Sequence, residues 1–415
     1  MKVRVSPGEI SGIANVPGSK SYTQRAILLS AFSETQLELR NVAFCSDDLI
    51  SINIARMCGL DVSEQKEYVT ISGEFTKPEK INAGESGTSM RLSIGLLAGK
   101  GAKTRIEMSP KLYRRPVQPI IRALEQNSVR FHRSNNSLQV DATNCKDGAV
   151  SVDGSVSSQF ISSLIMFQCL RKANRKVTVY NKQVSEGYID LTIRIIKEFG
   201  PDVIVDQNCY RVDGDFLNRK ISLVSDGDYS SATFLGTLGL LCSNSGIEIR
   251  GLSYESDQPD SLFFSNSLFD REPGQGRIKV SKRDLPELTF DASLTPDLAP
   301  SAAALGIFST NGVRILNTNR LVTKESDRKN GILNLCRSFG ADFIEEKDAV
   351  FMKKGYSVDT PRELFFDDHR MIMAGIVAGI ASGKSVIHNN VENIGKSYPQ
   401  FLDTIQSLGA EVQYL

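Results

Sequence analysis

Long apolar runs recur along the chain, and each is entered through a cluster of small, polar or charged residues. They are "KSYTQRAILLSAF" from Lys20, "ESGTSMRLSIGLLAG" from Glu85, "SSQFISSLIMFQCL" from Ser157, "DYSSATFLGTLGLL" from Asp228, "PDLAPSAAALGIF" from Pro296 and "DDHRMIMAGIVAGI" from Asp367. Apolar residues fall on every side of a 3.6-residue helical period, so each run is expected to be a helix buried all round. A second, amphipathic helix is expected after each. Five of these run from Ser46, Arg114, Ser185, Lys324 and Lys396, and the weakest copy lies within "ESDQPDSLFFSNSLF" from Glu255. Short alternating runs lie between them and read as strands bounded by turn residues: "YVTIS", "SLQVDAT", "RKVTVY", "IEIRGL", "GVRIL" and "KSVIHNN".

The buried runs repeat at intervals of roughly 65 to 72 residues, the mark of a duplicated supersecondary unit. Each unit holds about two helices and several strands, and six units divide naturally into three plus three. Three buried helices packed together with sheets outside make one domain. The polar clusters all sit at one end of the buried helices, so two facing domains would gather six helix starts around one ligand cleft.

Composition narrows the chemistry. The chain has 415 residues and a formal net charge of +1, without the basic excess of a general nucleic-acid binder. Its seven cysteines are scattered without a CxxC pair, and its three histidines show no HxxxH spacing, so no metal site is expected. The most apolar stretch, residues 371–383, is too short to span a bilayer. A cytoplasmic protein with no membrane partner, and a monomer, is expected.

The first cluster, "VPGSKSYTQRAILLS", poses a physical question. Ser19 suits a helix N-cap, yet Lys20 and Arg25 place cations where the macrodipole prefers carboxylates. An anion held at that helix start resolves the conflict.

Ten motifs in order, "VPGSKSYTQRA", "GESGTSMR", "YRRPVQP", "VSSQF", "SEGYIDLT", "GDYSSA", "TPDLAP", "KESDR", "DHRM" and "GKSYPQF", give the chain a full-length resemblance to the 5-enolpyruvylshikimate-3-phosphate synthase family. The resemblance implies an α/β fold of two domains, each of three βαβαββ repeats with buried helices and a ligand cleft between them, the enolpyruvyl transferase fold. The domains would be residues 20–226, and 1–19 joined with 227–415. It implies transfer of the enolpyruvyl group of phosphoenolpyruvate to shikimate 3-phosphate, with release of phosphate and no cofactor.

Carried over position by position, the shikimate 3-phosphate contacts fall on Lys20, Ser21, Arg25, Ser157, Ser158, Gln159, Ser185, Asp297 and Lys324. The phosphoenolpyruvate contacts fall on Lys20, Gly87, Arg115, Gln159, Arg328, Arg370 and Lys396. Asp297 matches the carboxylate beside the reacting hydroxyl, Glu325 a second carboxylate, and Lys20 a proton shuttle. Read without the resemblance, Asp297 opens the fifth buried helix as an N-cap, and "KESDR" is an ion-paired helix start. His369 would tune a carboxylate or serve the structure. Three positions depart from the family pattern. Glu85 replaces a common Asn and is expected in a first helical turn, Arg320 stands where some members have Asn, and Val322 replaces an Arg.

Two rivals remain at this stage. The sister transferase acting on UDP-N-acetylglucosamine uses a cysteine in the region of "MSPKLYRRPVQP", and no cysteine lies between Cys58 and Cys145. A non-catalytic phosphometabolite- or RNA-end-binding protein would have no use for Asp297 and Glu325.

Overall fold

Each of the six apolar runs forms a helix that carries the core. The computed structural model describes residues 1–272, 276–353 and 360–415. The helices are Lys20–Ser33, Gly87–Gly99, Ser158–Cys169, Tyr229–Cys242, Ala299–Phe308 and His369–Ala381, each with almost every residue buried. Second helices follow at Ser46–Met57, Gln118–Glu125, Gly187–Phe199, Arg328–Ser338 and Phe401–Ser407. The copy sought after Glu255 is a 3-10 turn, Pro259–Phe264. Pro259 lacks an N–H to donate, and Phe263 and Phe264 are buried at the end of this short turn.

Among the described residues lie six four-stranded sheets of one design. In the third repeat, Val150–Asp153 pairs in parallel with Lys176–Tyr180, which pairs antiparallel with Cys209–Asp213, and that with Asp202–Asp206. The buried helix Ser158–Cys169 makes the crossover that a parallel pair requires. The second strand ends in a left-handed residue in five repeats: Asn41, Asn181, Gly251, Asn317 and Asn390. Asparagine and glycine tolerate that conformation, which turns the chain sharply toward the next element.

Two compact units result, Gly18–Ser225 and Met1–Pro17 with Asp226–Leu415. Each has its own hydrophobic core. In the first, the helix Gly87–Gly99 packs against both other buried helices; in the second, all three pack on one another. The connectivity departs from a plain repeat at the joins. Gly12–Asn15 occupies the first-strand place beside Ile247–Arg250, but the chain then runs to helix Lys20–Ser33 of the other unit. Ile221–Val224 fills the same place beside Leu37–Arg40, and the chain then runs to helix Tyr229–Cys242. The two equivalent repeats have exchanged leading strands. Lys2–Ser6 completes the sixth sheet, between Val386–Asn389 and Glu411–Tyr414. At both joins a glycine is required by close approach: a Cβ on Gly18 would lie 1.7 Å from the Asn41 carbonyl oxygen, and one on Gly227 2.3 Å from that of Gly251.

His388, in the strand Val386–Asn389, is 1% exposed and lies against Gly375 and Gly379 of the last buried helix. Its Nε2 has no hydrogen-bond partner among the described residues. Burial lowers its pKa to about 3. Between pH 6.5 and 3 the unfolded chain therefore binds a proton that the folded chain refuses, and stability falls as pH falls. The slope is about 1.4 kcal/mol per pH unit. His388→Leu should flatten this limb of stability between pH 6 and 4 in urea unfolding. An unchanged slope would mean that the imidazole titrates in the fold as it does in water.

Candidate active site

The unit Gly18–Ser225 gathers its polar groups where buried helices begin. Ser19 caps the first, its Oγ accepting from the Tyr22 N–H at 3.4 Å, and no acidic residue lies in that first turn. Lys20 donates to Asp47 Oδ2 at 3.0 Å. Asp47 and Asp48 occupy the first turn of helix Ser46–Met57, whose partial positive charge suits them. Burial raises Asp48 to about 7, and the neighbouring Asp47 charge adds to the shift.

Arg25 is 1% exposed. Its Nε donates to Thr192 Oγ1 at 2.7 Å, Nη1 to the Ser21 carbonyl at 2.8 Å and Nη2 to the Tyr188 carbonyl at 3.5 Å. All three acceptors are neutral, and no carboxylate among the described residues balances the charge. Burial lowers the guanidinium to about 10. A buried cation held this way is a strong seat for an anion.

Ser86 caps the second buried helix and accepts from Gln24 Nε2 at 3.3 Å, tying its start to the first. Arg115 lies over that start: a Cβ on Gly87 would meet its Nη1 at 2.5 Å. Ser157 caps the third, accepting from the Gln159 N–H at 3.3 Å. Gln159 is fixed from both ends, its Oε1 accepting from Arg91 at 2.7 Å and its Nε2 donating to Thr88 Oγ1 at 2.9 Å. Ser185 is buried with φ +54°, strained for a residue with a side chain. Lys20, Ser21, Arg25, Gly87, Arg115, Ser158 and Gln159 are thus brought together at three linked helix starts. Arg91, which orients Gln159, was missed by sequence reasoning although it lies inside "GESGTSMR"; its partner is far along the chain. Glu85 lies just before the capping residue Ser86, exposed and outside the first turn where it was expected.

The unit Met1–Pro17 with Asp226–Leu415 is organised around Arg328, whose side chain is fully buried. Nη1 donates to Asp297 Oδ1 at 2.7 Å, Nη2 to Glu325 Oε2 at 2.5 Å and Nε to Asp368 Oδ2 at 2.8 Å. Burial opposes the charge, but the three carboxylates outweigh it and hold the guanidinium protonated. Arg370 reaches Asp297 Oδ2 at 3.1 Å and His369 Nε2 at 3.2 Å. Burial alone would raise Asp297; Arg370 and Arg328 overcome that and hold it well below the usual carboxylate range.

Asp297 is not an N-cap. The helix Ala299–Phe308 starts at Leu298 without a side-chain cap, and the Asp297 carboxylate is engaged by arginines instead. Helix Arg328–Ser338 likewise begins at Asp327 rather than Lys324, which ends a 3-10 turn. Lys324 is half-buried, and desolvation lowers it to about 7. Arg320 donates to the Ser293 carbonyl, and Val322 is exposed. Lys396 is half-buried at the end of the turn Val391–Lys396.

Two further groups escaped sequence reasoning. Asp368 caps helix His369–Ala381, accepting from the Arg370 N–H at 2.9 Å; it opens the motif "DHRM" but was given no role from the sequence. Asp260, buried in the 3-10 turn, accepts from Ser230; burial, and then the Asp297 charge, raises it to about 7. No cluster of histidine, cysteine or carboxylate side chains among the described residues is arranged to hold a metal ion.

A family model described as EPSP synthase (3-phosphoshikimate 1-carboxyvinyltransferase) matches residues 5–405. The 3-phosphoshikimate 1-carboxyvinyltransferase of Picrophilus torridus is 40% identical over 414 residues, covering 99% of each chain. That of Thermoplasma volcanium is 37% identical over 406 residues, covering 97% of each. The solved structure of EPSP synthase from Acinetobacter baumannii superposes with a TM-score of 0.79 over the whole of both chains at 20% identity, a likeness of fold.

Removing the cation at the centre of this cluster should be costly. Arg328→Met strands three carboxylates, and the expected loss is about 3–5 kcal/mol at pH 7. Protonating Asp297, which then lacks the cation that held it ionised, relieves the repulsion as pH falls, so the deficit should narrow toward pH 4. Urea unfolding of both proteins at pH 7 and pH 4 measures this; a deficit independent of pH would point to lost packing alone.

Proposed function

The chain belongs to the EPSP synthase family, and from that premise we propose that it transfers the enolpyruvyl group of phosphoenolpyruvate to the 5-hydroxyl of shikimate 3-phosphate, releasing phosphate. The observation that carries the reading is the gathering of cations at buried helix starts in both units. Two phosphorylated, carboxylated substrates need that many donors, and arginine matches both groups with two parallel hydrogen bonds.

In this reading Lys20, Ser21, Arg25, Ser157, Ser158, Gln159 and Ser185 receive shikimate 3-phosphate, with Asp297 and Lys324. The buried Arg25, which has only neutral partners, supplies a charge that the phosphate balances. Phosphoenolpyruvate is taken by Lys20, Gly87, Arg115, Gln159, Arg328, Arg370 and Lys396. Asp297 accepts the proton of the 5-hydroxyl while the oxygen bonds to C2 of phosphoenolpyruvate and a proton adds to its methylene carbon. The tetrahedral adduct then loses a methyl proton and inorganic phosphate. Lys20, held by Asp47, and Glu325 serve these proton transfers, since an acid and a base are needed together in a site closed to water. The enzyme acts as a monomer in the cytoplasm; among the described residues no helix is long and apolar enough to cross a membrane.

Phosphate release with both substrates tests the reaction. UDP-N-acetylglucosamine in place of shikimate 3-phosphate should give none. In the same assay Asp297→Asn should lower turnover by about 10²–10⁴-fold at temperatures where the variant is fully folded; its thermal midpoint should also fall, because Arg328 and Arg370 lose a charged partner. Near-normal turnover would remove Asp297 as the base.

Gly87→Ala isolates the second substrate. Its added methyl would meet the Arg115 guanidinium at 2.5 Å, so that flexible group must move while the helix start accepts alanine. The KM for phosphoenolpyruvate should rise about tenfold, equivalent to about 1.4 kcal/mol, with thermal midpoint preserved. An unchanged KM would detach Arg115 from this substrate.

A further inference from the structure

Three chain segments meet on Arg328, and the carboxylates they bring are not equivalent. Asp368 is built into the fold. Its side chain is 1% exposed, its Oδ1 caps helix His369–Ala381 through the Arg370 N–H, and its Oδ2 accepts from Ser326 Oγ at 3.2 Å as well as from Arg328 Nε. Asp297 and Glu325 are each 19% exposed and lie outside helices, and Asp297 caps none. One counter-charge is anchored, and two stand on the solvent side.

The geometry also fixes what each occupies. Asp297 gives one oxygen to Arg328 and the other to Arg370. Glu325 takes the remaining terminal nitrogen of Arg328. These are the positions from which a guanidinium grips an external carboxylate or phosphate. The protein's own carboxylates therefore fill the seat of an anion. Exchanging them for a ligand replaces one ion pair by another and never leaves the buried cation bare, the outcome that would be prohibitive.

We propose that Asp297 and Glu325 are resident counter-ions that an anionic substrate displaces from Arg328, while Asp368 stays in place and fixes the guanidinium's orientation. The proposal rests on the reading above that Arg328 and Arg370 receive phosphoenolpyruvate. Asp368 is thereby a positioning residue, and Asp297 has two roles. At rest both of its oxygens are committed to arginines, and it is a poor proton acceptor. Once the substrate's carboxylate has drawn those arginines away, it is free to take the hydroxyl proton. The base is unmasked only when the second substrate is seated.

This exchange has an unusual signature, because the base competes with the substrate for the same cation. Removing a competitor should tighten binding even as it abolishes turnover. The probe is phosphoenolpyruvate alone, which cannot react without an acceptor, and the readout is its dissociation constant from calorimetry. Asp297→Asn and Glu325→Gln should each bind it about tenfold more tightly than wild type. Asp368→Asn can keep the helix cap but turns its amide N–H₂ toward Arg328 and Ser326, so its thermal midpoint should fall. While folded it should bind no more tightly than wild type and should raise the KM about tenfold with kcat little changed.

Unchanged or weaker binding by Asp297→Asn would overturn the exchange. Equal tightening in Asp297→Asn and Asp368→Asn would also overturn it, since a general change of field would then explain both. A wild-type protein that releases no phosphate from the two substrates would instead remove the functional reading beneath it.

Discussion

A guanidinium withdrawn from water must be given a partner, and the two units meet that demand in opposite ways. Arg25 is buried with only neutral oxygens around it, so its charge is solvated but unbalanced. Arg328 is buried with three carboxylates and is over-balanced unless Arg370 shares Asp297. The first arrangement attracts an anion directly. The second holds an anion-shaped space already filled from within. Both guanidinium groups lie where helices begin, in Lys20–Ser33 and Arg328–Ser338, and both are withdrawn from solvent.

Those helix ends explain where the chemistry sits. Every buried helix leaves unpaired N–H groups at its start. Ser19, Ser86, Ser157, Asp228 and Asp368 satisfy some of them with side-chain oxygens. The fifth helix has no side-chain cap, and the neighbouring Asp297 is turned to the arginines instead. The exception to the structural rule is thus the carboxylate assigned to the reaction. A residue excused from capping can change partners; one that caps, such as Asp368, cannot do so without loosening its helix.

Much of the fold could be read from periodicity, because a helix apolar on all sides leaves little ambiguity. The buried helices begin at or within a few residues of the polar clusters that announced them, and the six alternating runs lie in strands. Three of the alternating runs close on an asparagine that adopts the left-handed conformation, Asn181, Asn317 and Asn390, a signal that the sequence carried without its being read. The 3-10 turn Pro259–Phe264 was poorly legible because its apolar residues are too few to show a period. At the site, composition marked the cations well but not their partners. The link from Arg328 to Asp368 and that from Arg91 to Gln159 join residues from different repeats, and no local spacing reports them. Asp297 was misread as a possible cap for the same reason: nothing near it in sequence reveals that two distant arginines claim both oxygens.

The strand Lys2–Ser6 bears on the order in which the protein can be made. Lys2–Ser6 leaves the ribosome early, yet both of its neighbours, Val386–Asn389 and Glu411–Tyr414, come from the far end of the chain. At roughly 5–20 residues per second it waits on the order of a minute for a place in its sheet. The unit Gly18–Ser225 holds all the strands of its three sheets within that span and can close while the earlier strand is still unpaired. An unpaired strand invites association with other chains, and charges along it, here Lys2 and Arg4 alternating with Val3 and Val5, oppose that. In the finished sheet Lys2 reaches Glu363 and Arg4 reaches Gln413, so the same two charges serve the strand before and after it is paired.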